Sequence, residues 1–347
     1  MIRMYYFTND YSEGAHPKIM EKLCATNMEQ TNTYGFDYHS DNAKELIKKA
    51  CGRNDADVHL LVGGTQTNLT IICAALRPHQ GIFSTVLSHI NTHEAGAIER
   101  TGHKVLSLPT QDGKLKATQI EENYLQYKND PNCAHWVQPK MVYISQPTEI
   151  GSLYHKQELE ALYAVCQKYG LYLFIDGARM GYGLAAPDND LSLADIAQLC
   201  DVFYIGGTKC GALFGEAVVI INPLLKEDFF SICKQGGAIL AKGRILGIQF
   251  ETLFTDNLYE NICQHGINMA MKIKTSIDNK GLPVVTESTT NQQFPILPNA
   301  MLKKLSEKYV FAPWELIDEN NTAIRICTGW ATVEEQVSAL IKDIEAL

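Results

Sequence analysis

The ten cysteines of this 347-residue chain include no CxxC pair. They are scattered through mostly apolar stretches, which is typical of buried free thiols in a reducing compartment rather than of a disulfide framework. No apolar run approaches the roughly 18 residues that a membrane helix needs. The N-terminal stretch also lacks the apolar segment of a signal peptide. We therefore expect a soluble, cytoplasmic protein that has no membrane partner.

Basic side chains never form a run, and 30 Lys and Arg stand against 39 Asp and Glu, for a net charge of −9. This balance argues against a nucleic-acid partner, because neutralising phosphates requires a clustered basic surface. The nucleotide-binding patterns GxxxxGK[ST] and GxGxxG are absent as well. The chain also lacks internal repeats, low-complexity tracts and Pro/Gly/Ser-rich linkers, so a domain boundary must be inferred from a change in pattern.

Hydrophobic residues make up 46% of the chain and charged residues 20%, which is the balance of a folded globular protein. Between about residues 58 and 222, short apolar strands alternate with helices. Strands are predicted at 58–62, 85–88, 105–108, 141–145, 171–175, 202–205 and 217–221. Helices are predicted at 66–76, around 159–166 and at 193–199. Such alternation implies right-handed crossovers and a mainly parallel sheet that is flanked by helices on both faces.

From about residue 235 the pattern changes. It predicts a long helical stretch over 239–274, shorter strands near Val284 and at 323–327, and a final helix that begins with Thr332 and Glu335 in capping-box spacing. The fold class is therefore α/β. We expect an N-terminal segment and large domain over residues 1–245 and a smaller α+β domain over 246–347.

Polar residues that follow predicted strands are the candidates for chemistry, because ligands gather at the carboxyl ends of the strands in open α/β sheets. Gly64 and Thr65 stand between a strand and a helix, where backbone N–H groups can bind an anion. A tight turn that requires glycine is the alternative. Asp176 ends a hydrophobic strand, and an ion pair with Arg179 would be its simplest role. Lys209 follows two glycines and is either a solvated charge or an amine nucleophile.

These residues together match the needs of pyridoxal 5'-phosphate, although none of them is specific alone. That cofactor requires an amine for covalent attachment, a carboxylate beside its pyridine nitrogen, an anion site for its phosphate and a flat group over its ring. Lys209, Asp176 and the Gly64 turn supply the first three, and His89 supplies the fourth.

The sequence resembles the threonine aldolase and aromatic amino acid β-eliminating lyase family, whose members are fold-type I pyridoxal-phosphate enzymes. The resemblance covers almost the whole chain. The matching segments are FTNDYSEGAHPKIM near the start, NTYGFD (32–37), GGTQTN (63–68), SHINTHEAGA (88–97), TEIGSLY (148–154), IDGARMGYGL (175–184), GGTKCGALFGEA (206–217), GGAILAKGRILGIQF (236–250) and AIRICTGW (323–330).

The resemblance implies a role for each matching residue. It makes Lys209 the cofactor-binding lysine, puts Asp176 against the pyridine nitrogen and Arg179 near the phenolic oxygen of the ring, and stacks His89 on the ring. It places Gly64, Thr65 and Gln66 on the phosphate. The substrate side is assigned to Arg325, which would hold the substrate carboxylate, with Asn9 and Glu149. Lys242 or Arg244 would assist the phosphate across a subunit boundary, since family members are homodimers or homotetramers.

The segment after the predicted strand at 141–145 departs from many threonine aldolases. Those enzymes carry Asn-Thr-His there, whereas this chain has Gln146-Pro147-Thr148-Glu149. The difference favours the low-specificity or phenylserine-type subgroup. It leaves His89 and Glu149 as the alternatives for the base that takes the β-hydroxyl proton.

The implied reaction is cleavage of an L-β-hydroxy-α-amino acid, such as threonine, allo-threonine or phenylserine, to glycine and an aldehyde. A β-eliminating lyase and an aminotransferase would use nearly the same residues and remain alternatives. A cofactor-free module that binds phosphate is a rival of another class. His89 and His93 lie four residues apart, but no third ligand is in register, so we expect no metal site.

Overall fold

The computed structural model describes residues 4–347. Its α-helices are α1 (Pro17–Ala25), α2 (Tyr38–Ala50), α3 (Gly64–Ala75), α4 (His89–Thr92), α5 (Ala97–Arg100), α6 (Ala117–Asn129), α7 (Lys156–Tyr169), α8 (Met180–Ala185), α9 (Leu193–Gln198), α10 (Phe229–Gln235), α11 (Arg244–Leu253), α12 (Leu258–Lys280), α13 (Asn299–Leu305) and α14 (Glu334–Ala346). Its strands are β1 (Tyr5–Phe7), β2 (Asp57–Leu61), β3 (Gln80–Thr85), β4 (Lys104–Leu108), β5 (Gln138–Ser145), β6 (Tyr172–Asp176), β7 (Val202–Gly206), β8 (Glu216–Ile220), β9 (Gln292–Gln293), β10 (Ile296–Pro298), β11 (Tyr309–Leu316) and β12 (Asn321–Cys327).

A seven-stranded sheet forms the larger part of the molecule, with strand order β2-β8-β7-β6-β5-β3-β4. The pairs from β4 through β7 are parallel, and β8 alone is reversed against both of its neighbours. Alternate residues pack on opposite faces: Ile144 and Ile175 belong to one hydrophobic cluster, Tyr143 and Phe174 to the other. The expectation of a mainly parallel sheet covered on both faces is confirmed.

The strand predicted at 85–88 is displaced, because β3 runs over Gln80–Thr85 instead. Ile82 and Phe83 are buried and pair with β4, whereas Val86 and Leu87 lie past the end of the strand and are more than one-third exposed. The apolar character of Val86 and Leu87 suggested a strand, but both residues follow the last residue of β3, Thr85.

A second, five-stranded sheet joins both ends of the chain. Its strands run β1-β11-β12-β10, with β9 also paired to β12. The N-terminal strand β1 pairs in parallel with β11, so it lies with the C-terminal elements although it was expected with the large domain. The boundary between residues 245 and 246 stays a prediction, and it falls within the first turn of α11.

Two helix predictions from the C-terminal region are corrected. The stretch over 239–274 forms two helices, α11 and α12, because Asp256 and Asn257 adopt left-handed backbone angles with φ of 54°. The final helix begins at Glu334, and the Thr332 hydroxyl accepts a hydrogen bond from the Gly329 N–H at 2.8 Å. Thr332 therefore closes the preceding turn and does not cap α14.

None of the helices between residues 4 and 347 combines the length and apolar character needed to cross a membrane. All ten cysteines lie in this described range and are free thiols. Within the same range, no cluster of three or more His, Cys, Asp or Glu side chains is arranged to hold a metal ion.

Candidate active site

A cavity of about 380 Å³ opens where β5, β6 and β7 end, which is the edge of the sheet at which ligands are expected. This volume is within the range of roughly 300 to 1,000 Å³ found for small-molecule sites. The structure brings most of the predicted site residues together here, and those that line the cavity are Gly64, Thr65, His89, Glu149, Asp176, Arg179 and Lys209. Gln66, Asn9 and Arg325 are not among its lining residues.

Asp176 is a buried carboxylate, 4% exposed, at the last position of β6. One of its oxygens accepts hydrogen bonds from the Tyr143 hydroxyl at 2.5 Å and the Asn68 amide at 3.1 Å, and the other accepts from the Ala178 N–H at 2.9 Å. Burial alone would raise the pKa of Asp176, but the charge of His89 and the hydrogen bonds from these and neighbouring donors lower it below its usual value. The carboxylate is therefore charged and ready to hold a protonated ring nitrogen.

Lys209 follows the Gly206-Gly207 turn at the end of β7, and its Nζ lies 6.0 Å from the centre of the Tyr11 ring. Burial lowers the pKa of the Lys209 amine, and the charge of Arg179 adds to this, although Asp10, Asp176 and Glu216 oppose it. An amine that loses its proton more readily than an ordinary lysine is the form that attacks a carbonyl carbon.

The turn before α3 forms an uncapped helix N-terminus at the cavity wall. Gly64 is the first helical residue, and no side chain caps the helix start. The first N–H groups of a helix have no carbonyl partner within it and can bind an anion. A Cβ on Gly64 would lie 3.4 Å from the Tyr204 hydroxyl, which is an ordinary van der Waals contact. The Gln66 Oε1 accepts a hydrogen bond from the Val62 N–H at 3.4 Å.

His89 is oriented by a buried acid. Its Nδ1 lies 2.7 Å from Oε1 of Glu94, whose carboxyl group also accepts a hydrogen bond from the Asn68 amide at 2.6 Å. A carboxylate at Nδ1 favours the tautomer with the proton on that nitrogen, which leaves Nε2 free to accept one. Asn68 contacts both Glu94 and Asp176 and so links the histidine to the aspartate.

Glu149 lies against the same histidine. Its Oε1 accepts hydrogen bonds from the His89 N–H at 2.8 Å and from the Ser145 hydroxyl at 2.7 Å. Desolvation by the surrounding protein raises the pKa of Glu149 above its usual value, and the charge of Asp176 contributes, although the hydrogen bonds act in the opposite direction. A carboxyl group in this state can hold a proton closer to neutral pH than an ordinary glutamate.

Arg179 pairs with Asp10 and not with Asp176. Its Nε and Nη2 donate to the two oxygens of Asp10 at 2.8 and 2.9 Å, and the Asn291 amide donates to the same carboxylate at 2.9 Å. The ion pair between Asp176 and Arg179 that the sequence suggested is therefore wrong. The bidentate pair fixes Arg179 at the cavity wall.

Arg325 and Asn9 belong to the second sheet and its N-terminal strand. Arg325 donates to the Thr8 carbonyl at 2.9 Å and to the Gln292 side chain at 3.3 Å. Burial lowers the pKa of His93, which lines the cavity, and the charges of His89 and Arg325 add to this effect. Among the residues that the structure describes, the buried Nε of Arg325 and Nε2 of Gln292 have no hydrogen-bond partner.

The remaining predicted residues lie further away on this chain. The Asn9 amide oxygen accepts from the Tyr11 N–H and the Ser12 hydroxyl, which closes a local turn. Arg244 donates to the carbonyls of Thr26 and Asn27, and Lys242 is exposed on a separate groove. Neither basic residue lines the cavity.

Four residues of the site were not predicted from the sequence. Tyr204 and Glu216 line the cavity, and Asn68 and Tyr143 donate hydrogen bonds to Asp176. Asn68 stands within the GGTQTN motif, but a helical position by itself does not reveal that it contacts two carboxyl groups. The two tyrosines lie within apolar strands, where nothing in the local pattern sets them apart from the core residues around them. The sequence does hold a signal for Glu216. A glutamate at the start of the apolar strand EAVVI is costly to bury unless it has a partner or a function.

Comparisons with known proteins agree with this geometry. The family model described as β-eliminating lyase matches residues 8–340. A threonine aldolase of Leishmania major is 46% identical and superposes with a TM-score of 0.96 over 99% of both chains. A low specificity L-threonine aldolase of Pseudomonas sp. is 28% identical over 98% of this chain and 97% of its own length. An aspartate aminotransferase of Thermus thermophilus, at 14% identity and a TM-score of 0.72, shares the fold over 99% of this chain and 92% of its own.

The residues at the cavity fit pyridoxal 5'-phosphate. A charged carboxylate, a readily deprotonated lysine and an uncapped helix N-terminus stand around one space, and each has the chemistry that a different part of that cofactor requires. The chain belongs to the threonine aldolase and β-eliminating lyase family of fold-type I, pyridoxal-phosphate-dependent lyases.

Proposed function

We propose that this chain cleaves L-β-hydroxy-α-amino acids, such as threonine, allo-threonine and phenylserine, to glycine and the corresponding aldehyde. The observation that carries the proposal is the 46% identity to a threonine aldolase over 99% of both chains. The arrangement of Lys209 and Asp176 at one cavity supports it.

When bound, pyridoxal phosphate supplies an electron sink for the pair released as a bond to the substrate Cα breaks. In this proposal Lys209 holds the cofactor covalently, and Asp176 keeps the pyridine nitrogen protonated through its charge. Gly64 and Thr65 offer their backbone N–H groups and a hydroxyl to the phosphate at the start of α3. The Oε1 of Gln66 accepts from the Val62 N–H, so its backbone N–H and its side-chain NH2 group are the donors that it would offer to the phosphate.

His89 is the first choice for the group that removes the β-hydroxyl proton. Its Nδ1 is bonded to Glu94, so Nε2 is the nitrogen available as an acceptor while the ring covers the cofactor. Glu149 is the second choice, because its carboxyl group lies within hydrogen-bond distance of the His89 backbone and its raised pKa suits proton transfer near neutral pH. Only one of the two is needed for the step.

Arg325 is proposed to hold the substrate carboxylate. Its unpartnered Nε is a buried cationic donor, and an anion placed against it would satisfy that donor. Arg179 does line the cavity, with its orientation fixed by Asp10, and it is proposed to lie near the phenolic oxygen of the cofactor. Asn9, on the N-terminal segment between Thr8 and Asp10, is proposed to approach the substrate carboxylate as well.

We further propose a cytoplasmic homodimer or homotetramer. Free thiols are typical of a reducing compartment. Apolar side chains are exposed near the cavity, including Tyr11 at 52% and Leu213 at 43%, and a second copy would cover them. Lys242 and Arg244 line a groove that shares Phe214 with the cavity, so they are placed to serve a neighbouring subunit.

Product analysis tests the proposed reaction. The purified protein, loaded with pyridoxal phosphate, is incubated with L-threonine, L-allo-threonine, phenylserine, L-serine, L-cysteine and L-tyrosine, and the products are identified by mass spectrometry. Glycine together with acetaldehyde or benzaldehyde supports the proposal. Ammonia with a keto acid would instead establish a β-eliminating lyase, the activity named by the family model, and transfer of the amino group would establish an aminotransferase.

A further inference from the structure

Glu216 is a buried carboxyl group at the cavity wall that the proposed function does not use. It opens β8, the reversed strand between β2 and β7, and it pairs with Leu61 on one side and Gly206 on the other. Beyond Leu61 the chain leads to Gly64 at the start of α3, and beyond Gly206 it leads to Lys209. Glu216 therefore stands between the helix N-terminus and the lysine turn, and it lines the same cavity as both.

The carboxyl group of Glu216 is held by two donors. Its Oε1 accepts a hydrogen bond from the Thr208 hydroxyl at 2.8 Å, and its Oε2 accepts one from the Gly207 N–H at 3.2 Å. The residue is only 3% exposed. When protonated, a carboxyl group can keep both of these bonds and still has one O–H to donate.

Two charged groups and one neutral hydroxyl face Glu216. Lys209 lies on the turn that follows β7, Asp176 lies at the end of β6, and the hydroxyl belongs to Tyr204 of β7. Leu61 of β2 and the first residues of α3 bring no charge. Burial raises the pKa of Glu216 to about 8, with the Asp176 charge adding to it, while the Thr208 hydrogen bond, Lys209 and the Gly207 N–H act against it. The group is therefore mostly protonated at neutral pH.

An anion at the start of α3 would stabilise the protonated form further, since two negative charges in one dry site repel each other. We propose that Glu216 donates its carboxyl O–H to the phosphate of the bound cofactor, so that phosphate binding weakens as this carboxyl ionises in alkaline solution. The inference rests on the proposed function, which places the phosphate at Gly64 and Thr65.

The test compares pyridoxal phosphate with pyridoxal, which keeps the aldehyde but lacks the phosphate. Dissociation constants for the full-length protein are measured by protein fluorescence between pH 7 and 9.5, where phosphate monoesters are already dianionic. The dissociation constant for pyridoxal is divided by that for pyridoxal phosphate. Because both compounds carry the aldehyde that reacts with Lys209, the effect of the Lys209 titration cancels in this ratio. Because one proton is linked to binding, we expect this ratio to fall by up to roughly tenfold for each pH unit above 8.

Two variants make the assignment specific. In Glu216→Gln the side-chain amide donates at every pH, so the ratio is expected to be independent of pH. At pH 7 it is expected to lie within about threefold of the wild-type ratio. Asp201→Asn is the matched control. Asp201 is another buried acid of the same sheet whose pKa is raised by burial, but it accepts from the Leu173 N–H and the Asn222 amide, remote from the cavity. This control is expected to keep the wild-type slope.

A flat ratio in the wild type overturns the inference, and so does a slope that survives in Glu216→Gln. The wild-type measurement stands without any variant, so a failure of Glu216→Gln to fold does not remove the test. A wild type that binds neither compound at pH 7 overturns the proposed function and this inference together. Binding of pyridoxal phosphate with a flat ratio overturns this inference alone.

Discussion

The two charged groups at the centre of the proposed mechanism are held in different ways. Asp176 has donors on both of its oxygens, and those contacts come from the seven-stranded sheet and from α3 and the turn that flank it. Arg325 is held by the N-terminal strand and β9, with its Nε left without a partner in the described part of the chain. The hydrogen bonds of Asp176 are thus complete, whereas Arg325 has a donor left for an anion.

The difference assigns two tasks to two parts of the site: Asp176 supplies charge for the reaction, and Arg325 is available to bind the substrate. A fully satisfied anion such as Asp176 is preorganised, so the protein supplies its charge without rearrangement at each turnover. The Arg325 side is assembled from segments more than 300 residues apart in sequence, and the substrate carboxylate would complete it. The predictions below test this contrast, from the largest expected effect to the smallest.

Replacing the lysine removes the group on which the cofactor side depends. In Lys209→Ala we expect turnover of β-hydroxy amino acids to fall by at least roughly 1,000-fold, because no other amine lines the cavity among the residues that the structure describes. The purified variant should lack the visible absorbance of the wild type. Lys303→Ala, on the exposed face of α13, serves as the control and should remain coloured and active. Normal turnover by Lys209→Ala would contradict the assignment.

The charge of Asp176 is tested by its neutral isostere. Asp176→Asn keeps the size of the side chain but has one acceptor oxygen, so it can accept from Tyr143 or from the Ala178 N–H but not from both. It also no longer stabilises a protonated pyridine nitrogen. We expect kcat to fall by roughly 100- to 1,000-fold while the cofactor still binds. Steady-state kinetics and a fluorescence titration separate the two effects. A decrease in kcat of less than tenfold would show that the preorganised charge is not needed.

The carboxylate side should behave differently, because its contribution is to binding. Arg325→Lys keeps a positive charge but loses the planar donor set, so we expect KM for the amino acid to rise roughly 10- to 100-fold with a smaller change in kcat. Arg53→Lys, which alters a surface arginine paired with Asp55, is the control and should leave KM unchanged. An unchanged KM in Arg325→Lys would remove Arg325 from the substrate site.

The raised pKa of Glu149 predicts a small effect on stability. Because the folded state holds this proton to a higher pH than the unfolded chain does, its contribution to stability is present in acid and is lost as pH rises through the folded-state pKa. In Glu149→Gln the hydrogen bonds from His89 and Ser145 can be kept, so at pH 8 we expect a Tm gain on the order of 2 °C over the wild type. The gain should vanish near pH 4, and a gain that is equal at both pH values would contradict the reasoning.

The sequence predicted the residues at or just after the ends of strands, such as Asp176, better than the contacts between distant segments, such as those of Arg325. Lys209, Asp176 and the Gly64 turn each follow a strand directly, and the ends of neighbouring parallel strands meet at one edge, so local pattern predicted that these residues gather. The sheet around them was predicted for the same reason. The position of β3 was missed because Val86 and Leu87 are apolar and yet lie outside the sheet.

Contacts between distant segments could not be predicted in this way. Asp10 meets Arg179 and Asn291 only after β1 has joined the second sheet, and nothing in the local sequence around Arg179 indicates that partner. Asn68 likewise contacts Glu94 and Asp176 because α3 packs over the strand ends. Such pairs are set by tertiary packing, which hydrophobic periodicity does not encode.

The central claim, that Lys209 carries pyridoxal phosphate in this cavity, is tested most directly by covalent trapping. The wild-type protein is reduced with borohydride and digested, and its peptides are measured by mass spectrometry. We predict that the yellow colour disappears and that one phosphopyridoxyl group is found on the peptide that contains Lys209. A label on a different lysine, or a protein that never acquires the colour or the label, would contradict the account.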